Sequence, residues 1–462
     1  MWKYVAEGNA SVVVRCTADP SLSSGNDDDT GLCRLDDDDD GDAPPLRAGE
    51  LEGWVLRISK RPVDVAAVEQ YRCRLVAPLL GEQYFSPAVR VRVRVRERGA
   101  EGEWMAALQR AIDATATARP VKRKQRQREQ GQALCADTML LMHNAALLPS
   151  PQPPRLLGLQ QHVVAVEIKP KTGFLAVSPF IAQANAVKHE FCRFCMHRQL
   201  RVLRQGEAGR NTRYCPIDLF SGEPLRVQHA LRCLVDEPSN NLRLFIDGDV
   251  VYTSDHERNS CNEAIAALLG PAEPANNRLH TFCALVAKVL VREPLLPRLR
   301  DHQATLDKFD VEFVGRVYEH LVAEGVDVGH ALREYELAMS SIVHPIVPVP
   351  VHAIEHLSRN DQLGIVRNFL VAATLKDCSI FVTMTAAAAA AAADGATHVV
   401  RTSSGSAFEY KLTVIDVDRK DVHKIPKYLE QDQEIVSAFD LSLHSRGPCS
   451  DAGDPKLRMS QN

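Results

Sequence analysis

The sequence predicts an α+β fold in two lobes: a smaller β-rich N-lobe over residues 1–150, a larger C-lobe over 151–440, and a flexible tail at 441–462. Three observations carry this. Short β-branched or apolar runs at 11–15 and 54–58 have the length and content of strands in an antiparallel sheet. Residues 88–96 alternate Val and Arg, and a two-residue period puts Val on one face and Arg on the other, as in a half-buried strand. Beyond residue 185, apolar residues recur every three or four positions in 264–269, 281–291, 311–323 and 366–374, the signature of amphipathic helices. Two further strands fall at 163–167 and 412–417. The segment 19–50 is rich in Asp, Gly, Ser and Pro and reads as a disordered insertion. The run Ala386 to Ala393, eight alanines closed by Asp394-Gly395, reads as an added helix or a variable loop.

The 462 residues, 45% hydrophobic, suffice for one large or two medium cores. Net charge is −4, which argues against a polycation that coats nucleic acid. The average conceals local clusters: acid at 27–29 and 36–40, base at 90–98 and 119–128. A locally basic site in a near-neutral chain suits a compact anion. The arginine runs lack interleaved aromatics, so RNA binding is not expected. No basic start followed by an apolar run marks a secretory signal, and no segment has the roughly 18 apolar residues a spanning helix needs. The expected compartment is cytoplasm or nucleus, with no membrane partner and a monomeric chain. The twelve cysteines are then expected to be reduced.

Phosphoryl transfer needs cations on the moving group, a carboxylate for magnesium and another for the attacking hydroxyl. Glu167-Ile168-Lys169-Pro170-Lys171 ends a strand. Alternation sends Glu167, Lys169 and Lys171 to one side, and Pro170 holds the backbone extended before the Thr172-Gly173 turn. Taken alone, this is also how an ordinary strand end with solvated lysines looks. Asp416 closes the apolar run 413–415, a place suited to Mg²⁺ or to a plain turn aspartate. Asp377 sits between a helical run and a short strand. Arg193, His197 and Arg201 recur at helical spacing, giving an anion-facing edge, and Asn240-Asn241-x-Arg243 precedes another strand. Cys192-x-x-Cys195-x-His197, with Cys215 further on, reads as buried free thiols. A zinc knuckle pairs two close-spaced clusters, and here the second is a lone cysteine.

Five segments occur together in order: Glu167-Ile168-Lys169-Pro170-Lys171-Thr172-Gly173-Phe174, Cys192-Arg193-Phe194-Cys195-Met196-His197, Tyr214-Cys215-Pro216-Ile217-Asp218-Leu219-Phe220-Ser221-Gly222, Asn240-Asn241-Leu242-Arg243 and Lys376-Asp377-Cys378-Ser379. In content and order they resemble the inositol-pentakisphosphate 2-kinase family, which makes phytate, over about residues 4 to 440.

The resemblance implies two lobes enclosing ATP in a distantly protein-kinase-like fold, with Mg²⁺ and ATP as cosubstrates. It implies transfer of phosphate to the 2-hydroxyl of inositol 1,3,4,5,6-pentakisphosphate, giving inositol hexakisphosphate. Asp377 then resembles the catalytic aspartate and Lys169 the lysine at the moving phosphoryl group. Asp416 resembles the magnesium ligand. Gly8, Asn9, Ala10, Arg57, Glu167 and Arg243 resemble the nucleotide side. Arg123, Lys171, Arg193, His197, Arg201, Asn240, Lys420, Lys424 and Tyr428 resemble the inositide pocket. The chain departs from the pattern in three places. The phosphate loop has Asn9 and Ser11 where the family carries a glycine and an asparagine. The adenine-side residues are not matched at Met142-His143-Asn144. Plant members carry a His and Cys-x-x-Cys zinc site after a segment like 306–310, whereas here Arg316 stands near the His position and no cysteine lies between Cys283 and Cys378. No structural zinc is therefore expected. The altered loop and hinge leave a second reading open, that of a catalytically weak inositide-binding or scaffold protein.

Overall fold

A computed structural model of the chain describes residues 2–7, 11–16, 32–34, 46–59, 64–93, 106, 108–110, 139–148, 161–205, 213–237, 242–253, 258–338, 354–387, 398–443 and 447–449. It is mixed helix and sheet, organised on two antiparallel six-stranded sheets. The first takes β1 (Trp2–Glu7), β2 (Ser11–Cys16), β3 (Leu32–Arg34), β4 (Trp54–Ser59), β5 (Ala88–Val93) and β6 (Met139–His143), in the spatial order β1-β2-β4-β6-β5-β3. Its inward face, with Val12, Val14, Leu56, Ile58, Val91 and Met139 all buried, alternates as the sequence pattern predicts. The stretch 19–50, expected to be one disordered insertion, contains β3, paired with Val91–Val93 of β5, and a 3-10 turn at Ala48–Leu51. Leu32, Leu46 and Leu51 are buried in the sheet's core. The acidic composition hid two apolar anchors within that stretch, Leu32 and Leu46.

The second sheet takes β7 (Val164–Ile168), β8 (Arg243–Ile246), β9 (Asp249–Thr253), β10 (Ser379–Ala386), β11 (Val399–Arg401) and β12 (Ala407–Ile415), in the order β11-β12-β10-β7-β8-β9. β8 and β9 form a hairpin through Asp247-Gly248, both with positive φ (51° and 82°), the turn chemistry an Asp-Gly pair favours. β7 and β10 lie in the middle and are buried along almost their whole length, including the polar Glu167, Ser379, Thr383 and Thr385. Helices cover the sheet. The longest, Arg359–Leu375, is capped at its start by Ser358, which accepts from the Asp361 N–H. It is buried on nearly every side from Gln362 to Leu375, which accounts for its weak amphipathic pattern. It packs against helices Leu295–Leu306 and Asp310–Ala323. No helix among the described residues is long and apolar enough to cross a membrane.

Polar contacts join the two sheets. Arg15 donates to Asp249 at 2.7 Å and Lys3 pairs with it at 2.9 Å. Arg57 of β4 forms an ion pair with Asp418, just beyond β12. Tyr71 and Thr374 share a hydrogen bond at 3.2 Å, and Thr374 also donates to the Asp418 carbonyl at 3.1 Å.

One buried side chain ties the elements that carry the candidate site. Gln303, with no exposed surface, accepts from the Gly173 N–H at 2.9 Å and donates to the Lys171 and Leu375 carbonyls at 3.0 and 3.1 Å. It therefore fixes the turn after Lys171 against the helix end that precedes Asp377. Gly173 must be glycine here, because a Cβ would meet the Phe220 ring at 2.5 Å. Replacing Gln303 by Leu leaves three buried backbone groups without partners. At about 1–3 kcal/mol for each buried group left unmade, and with partial relaxation, the expected loss is about 2–5 kcal/mol, read as a lowered urea midpoint at unchanged slope.

Candidate active site

Three strand ends meet at one edge of the second sheet. β10 is antiparallel both to β7 (Ile380 opposite Ile168) and to β12 (Ser379 opposite Ile415). The start of β10 therefore lies beside the ends of β7 and β12. Asp377 precedes β10, Lys169 follows β7 and Asp416 follows β12. Lys169 Nζ lies 2.8 Å from Asp416 Oδ2 and donates to the Asp377 carbonyl at 3.4 Å. Lys171 Nζ reaches Asp377 Oδ1 at 3.2 Å, and Lys420 Nζ reaches Oδ2 at 2.8 Å. Lys171 and Asp416 both hold positive φ, 66° and 59°. That conformation strains a residue with a Cβ and is tolerated where the surroundings over-determine it, as at active sites.

Behind these lies a fully buried support. Glu167, 1% exposed, accepts from Ser379 Oγ at 2.8 Å and from Arg243 Nη1 at 3.2 Å. Its carboxylate is occupied by protein partners. Glu167 thus positions Arg243 and Ser379 from inside the sheet, in place of the ligand-facing position expected from strand alternation.

Charge follows geometry. Burial opposes ionisation of Asp377, but Lys171 and Lys420 outweigh it and hold the carboxyl down at about 2. Burial likewise works against the Asp416 carboxylate, and Lys169 overcomes it, leaving its pKa below the ordinary value. Lys171 is pushed down, first by burial and further by Lys169, with Asp377 opposing.

Two cavities flank this centre. The larger, about 480 Å³, lies over Lys171, Asp377 and Lys420 on one side and Arg193, His197 and Arg201 of helix Arg193–Gln205 on another, with Tyr428 at its wall. Burial and then the arginines Arg201 and Arg193 push His197 down to about 4, so it is neutral near pH 7 and the positive field comes from Lys and Arg. Arg193 is held by Asp432 and by Gln431 Oε1 at 3.3 Å. Asp432 also binds the buried Lys188 at 2.7 Å, which takes Asp310 at 2.6 Å and Glu312 at 3.1 Å. The smaller cavity, about 320 Å³, is lined by Ser11 and Arg57 of the first sheet and by Asp418 and Arg419, just beyond β12 of the second. Asp418 Oδ1 is buried there without a hydrogen-bond partner.

Of the sequence-predicted site residues, the structure brings together Lys169, Lys171, Asp377, Asp416 and Lys420, with Arg193, His197, Arg201 and Tyr428 around the larger cavity and Arg57 at the smaller. Lys424, exposed in the 3-10 turn Val422–Lys424, does not line either cavity. Gly8, Asn9, Ala10, Arg123 and Asn240 lie outside the described residues. Sequence reasoning missed Asp418, which adjoins a recognised position, and Lys188 and Gln303, which gave no signal because their partners lie 72 to 244 positions away.

Cys192, Cys195 and Cys215 are buried free thiols, as the sequence predicts, and they gather a further cysteine. The sulfurs of Cys192, Cys195, Cys215 and Cys449 all lie within 4.8 Å of one another. His197 is not among them; the fourth member comes from the tail. Part of 441–462, expected to be flexible, is thereby fixed in place: Cys449 N–H donates to the Glu190 carbonyl at 2.9 Å.

The model of the family "Inositol-pentakisphosphate 2-kinase" matches residues 4–434. The chain belongs to the inositol-pentakisphosphate 2-kinase family. The family's Arabidopsis thaliana member is 27% identical over 470 residues, covering 98% of this chain and 96% of its own. The member from Oryza sativa subsp. indica is 29% identical over 286 residues, 60% of each chain. That from Danio rerio is 25% identical over 349 residues, 62% of this chain and 69% of its own.

The Asp377 carboxyl is expected to titrate near 2 in a carboxyl-detected NMR series. Lys420→Ala should raise that value, since it removes a cation bonded directly to Oδ2. Because this pKa is depressed in the folded state, the stability it contributes is present above about pH 4 and lost as pH falls through about 2.

Proposed function

We propose that this chain transfers the γ-phosphoryl group of ATP to the 2-hydroxyl of inositol 1,3,4,5,6-pentakisphosphate, within a two-lobed and distantly protein-kinase-like scaffold. One observation carries the reading. The strip from Asp416 to Lys420 has a cavity on each side: Asp418 and Arg419 line the smaller, Lys420 the larger. Two ligands bound in these spaces approach each other across Asp377, Lys169 and Asp416, the arrangement direct in-line transfer needs. The smaller cavity suits a nucleotide, with Arg57 reaching its phosphates. The larger is walled by Lys171, Arg193, Arg201 and Lys420, and suits a compact polyanion.

In this reading the inositol hydroxyl oxygen attacks the γ-phosphorus, the bond to the β–γ bridging oxygen breaks, and ADP leaves. Asp377 accepts the hydrogen bond of the hydroxyl and orients its lone pair. A carboxyl held at about 2 is a weak base while Lys171 and Lys420 occupy it. When substrate phosphates draw those lysines away, its basicity rises and it can take the proton. Lys169 neutralises charge on the group in transit. Glu167 acts from behind, holding Arg243 towards the nucleotide side. The partnerless buried Oδ1 of Asp418 and the half-exposed carboxylate of Asp416 fit a hard cation with oxygen ligands. Bound Mg²⁺ would supply neutralisation of the nucleotide phosphates.

Incubation with ATP, Mg²⁺ and inositol 1,3,4,5,6-pentakisphosphate is expected to give inositol hexakisphosphate by ion-exchange chromatography. Binding of the pentakisphosphate without any ATP-dependent product would sink the catalytic reading. Asp377→Asn should lower kcat by about a hundredfold or more with little change in KM. Arg57→Ala should raise the KM for ATP about tenfold or more, the worth of a charge-assisted contact, and leave affinity for the pentakisphosphate unchanged.

A further inference from the structure

We infer that Arg419 is a further contact for the nucleotide's phosphates, held beside the smaller cavity by Glu336 until the nucleotide arrives. The inference rests on the reading of that cavity as the nucleotide site and adds a residue to it. Arg419 lines the cavity from the strip that follows β12, and Arg57 lines it from β4. The two cations are not equally free. The Arg57 guanidinium is paired with Asp418, and its Nε donates to Ser11 Oγ at 3.1 Å. Arg419 Nη2 lies 2.8 Å from Oε2 of Glu336, on helix Val328–Ala338. The other oxygen of that carboxylate faces Arg367 Nε at 3.4 Å. One carboxylate thus serves two guanidinium groups, which leaves surplus positive charge at the edge of the cavity.

Burial decides which arginine can move. The Arg367 side chain is 8% exposed and sits on helix Arg359–Leu375, so leaving Glu336 would strip a buried charge of a partner. The Arg419 side chain is 38% exposed. Its pairing with Glu336 is a solvent-screened bridge that holds it only weakly, and Glu336 keeps Arg367 when Arg419 departs. A polyphosphate offers a guanidinium two oxygens at once and more negative charge than one carboxylate. Transfer of Arg419 from Glu336 to the phosphates therefore replaces one ion pair by a stronger one and leaves no buried charge alone. Resting on Glu336 also limits the side-chain freedom that Arg419 loses when the nucleotide binds. The next residue, Lys420, lines the larger cavity, so neighbouring cations on one strip serve different ligands.

Calorimetric titration of the full-length chain with ATP and with adenosine, in the presence of Mg²⁺, tests this. Arg419→Ala removes an exposed side chain and should weaken ATP binding about tenfold or more, the worth of a charge-assisted contact. Adenosine affinity should change by less than about twofold, because adenosine has no phosphate to lose. Arg419→Lys should recover part of the loss. Glu336→Gln separates a phosphate contact from a mere tie between helix and strip. It loosens Arg419 from its resting partner, so ATP affinity should rise by about twofold to threefold, the size of a surface bridge no longer in competition. A structural tie would instead make affinity fall, as in Arg419→Ala. Arg57→Ala is the reference for the cavity itself. If it weakens ATP binding while Arg419→Ala leaves it within about twofold, the inference is overturned and the nucleotide reading stands. If the wild-type chain binds no ATP, both fall together. Equal losses for ATP and adenosine in Arg419→Ala, or a loss of ATP affinity in Glu336→Gln, would also overturn the inference.

Discussion

Everything at the active edge depends on β10 being hydrogen-bonded on both sides, to β7 and to β12, each antiparallel. Antiparallel pairing reverses direction at each step, so a start and two ends share one edge. That is why Asp377, Lys169 and Asp416 meet although they are separated by up to 247 positions. The register is as important as the pairing. Glu167 lies across from Phe381 and Arg243, which puts Ser379 and Arg243 within reach of its carboxylate. A one-residue slip would turn Glu167 to the other face, unpair a buried charge and withdraw the support from Arg243. Burial of β7 and β10 makes such a slip costly, because every apolar side chain on them would change sides as well.

The same edge explains the charge arrangement. Cations are concentrated there, and burial alone opposes their charged forms, most plainly at Lys171. The carboxylates of Asp377 and Asp416 hold them together when no anion is bound. A ligand carrying several phosphates would replace those carboxylates as partners and release them for their own tasks. Self-pairing of opposite charges thus keeps the site assembled without a ligand and makes the carboxylates sensitive to its arrival. The second layer has no such freedom. Lys188, 4% exposed and bonded to Asp310, Glu312 and Asp432, is a closed set of charges, and its role is to fix Asp432 where Arg193 needs it.

Much of this was legible in the sequence, and the parts that were not share a cause. The β-branched run of β2 marks it as a strand, and the alternation of β5 and the amphipathic helices Arg278–Arg292 and Asp310–Ala323 carry their period in the residues. β9 was missed although Asp247-Gly248 marks its hairpin, because its five residues, Asp249 to Thr253, are short and partly polar. β3 was missed because its three residues sit in an acidic stretch whose composition argues for disorder. At the site, Lys169, Lys171, Asp377 and Asp416 stand at element ends, where a local rule points to them. Glu167 stands one residue earlier, and the local rule gave it the wrong neighbour: the register with β8 and β10, not alternation along β7, decides what its carboxylate meets. Gln303, Lys188 and Cys449 follow no local rule. Each is defined by partners 72 to 259 positions away, a distance at which sequence spacing carries no geometric information.

Those distant partners converge on one physical requirement. Phosphates repel each other, so a pocket that gathers several must hold its cations in place before the ligand arrives. Otherwise part of the binding energy is spent ordering long, flexible side chains. Helix Arg193–Gln205 meets that requirement from more than one direction. Asp432, on helix Ile425–Ser437, takes its first arginine; the Phe191 ring, just ahead of it, packs on Phe439 with centroids 4.9 Å apart; and the sulfurs of Cys192 and Cys195 join those of Cys215 and Cys449. Cys215 apart, these contacts come from segments far along the chain, and two of them lie at or beyond residue 439. Asp432, Phe439 and Cys449 are thus part of the anion site's framework.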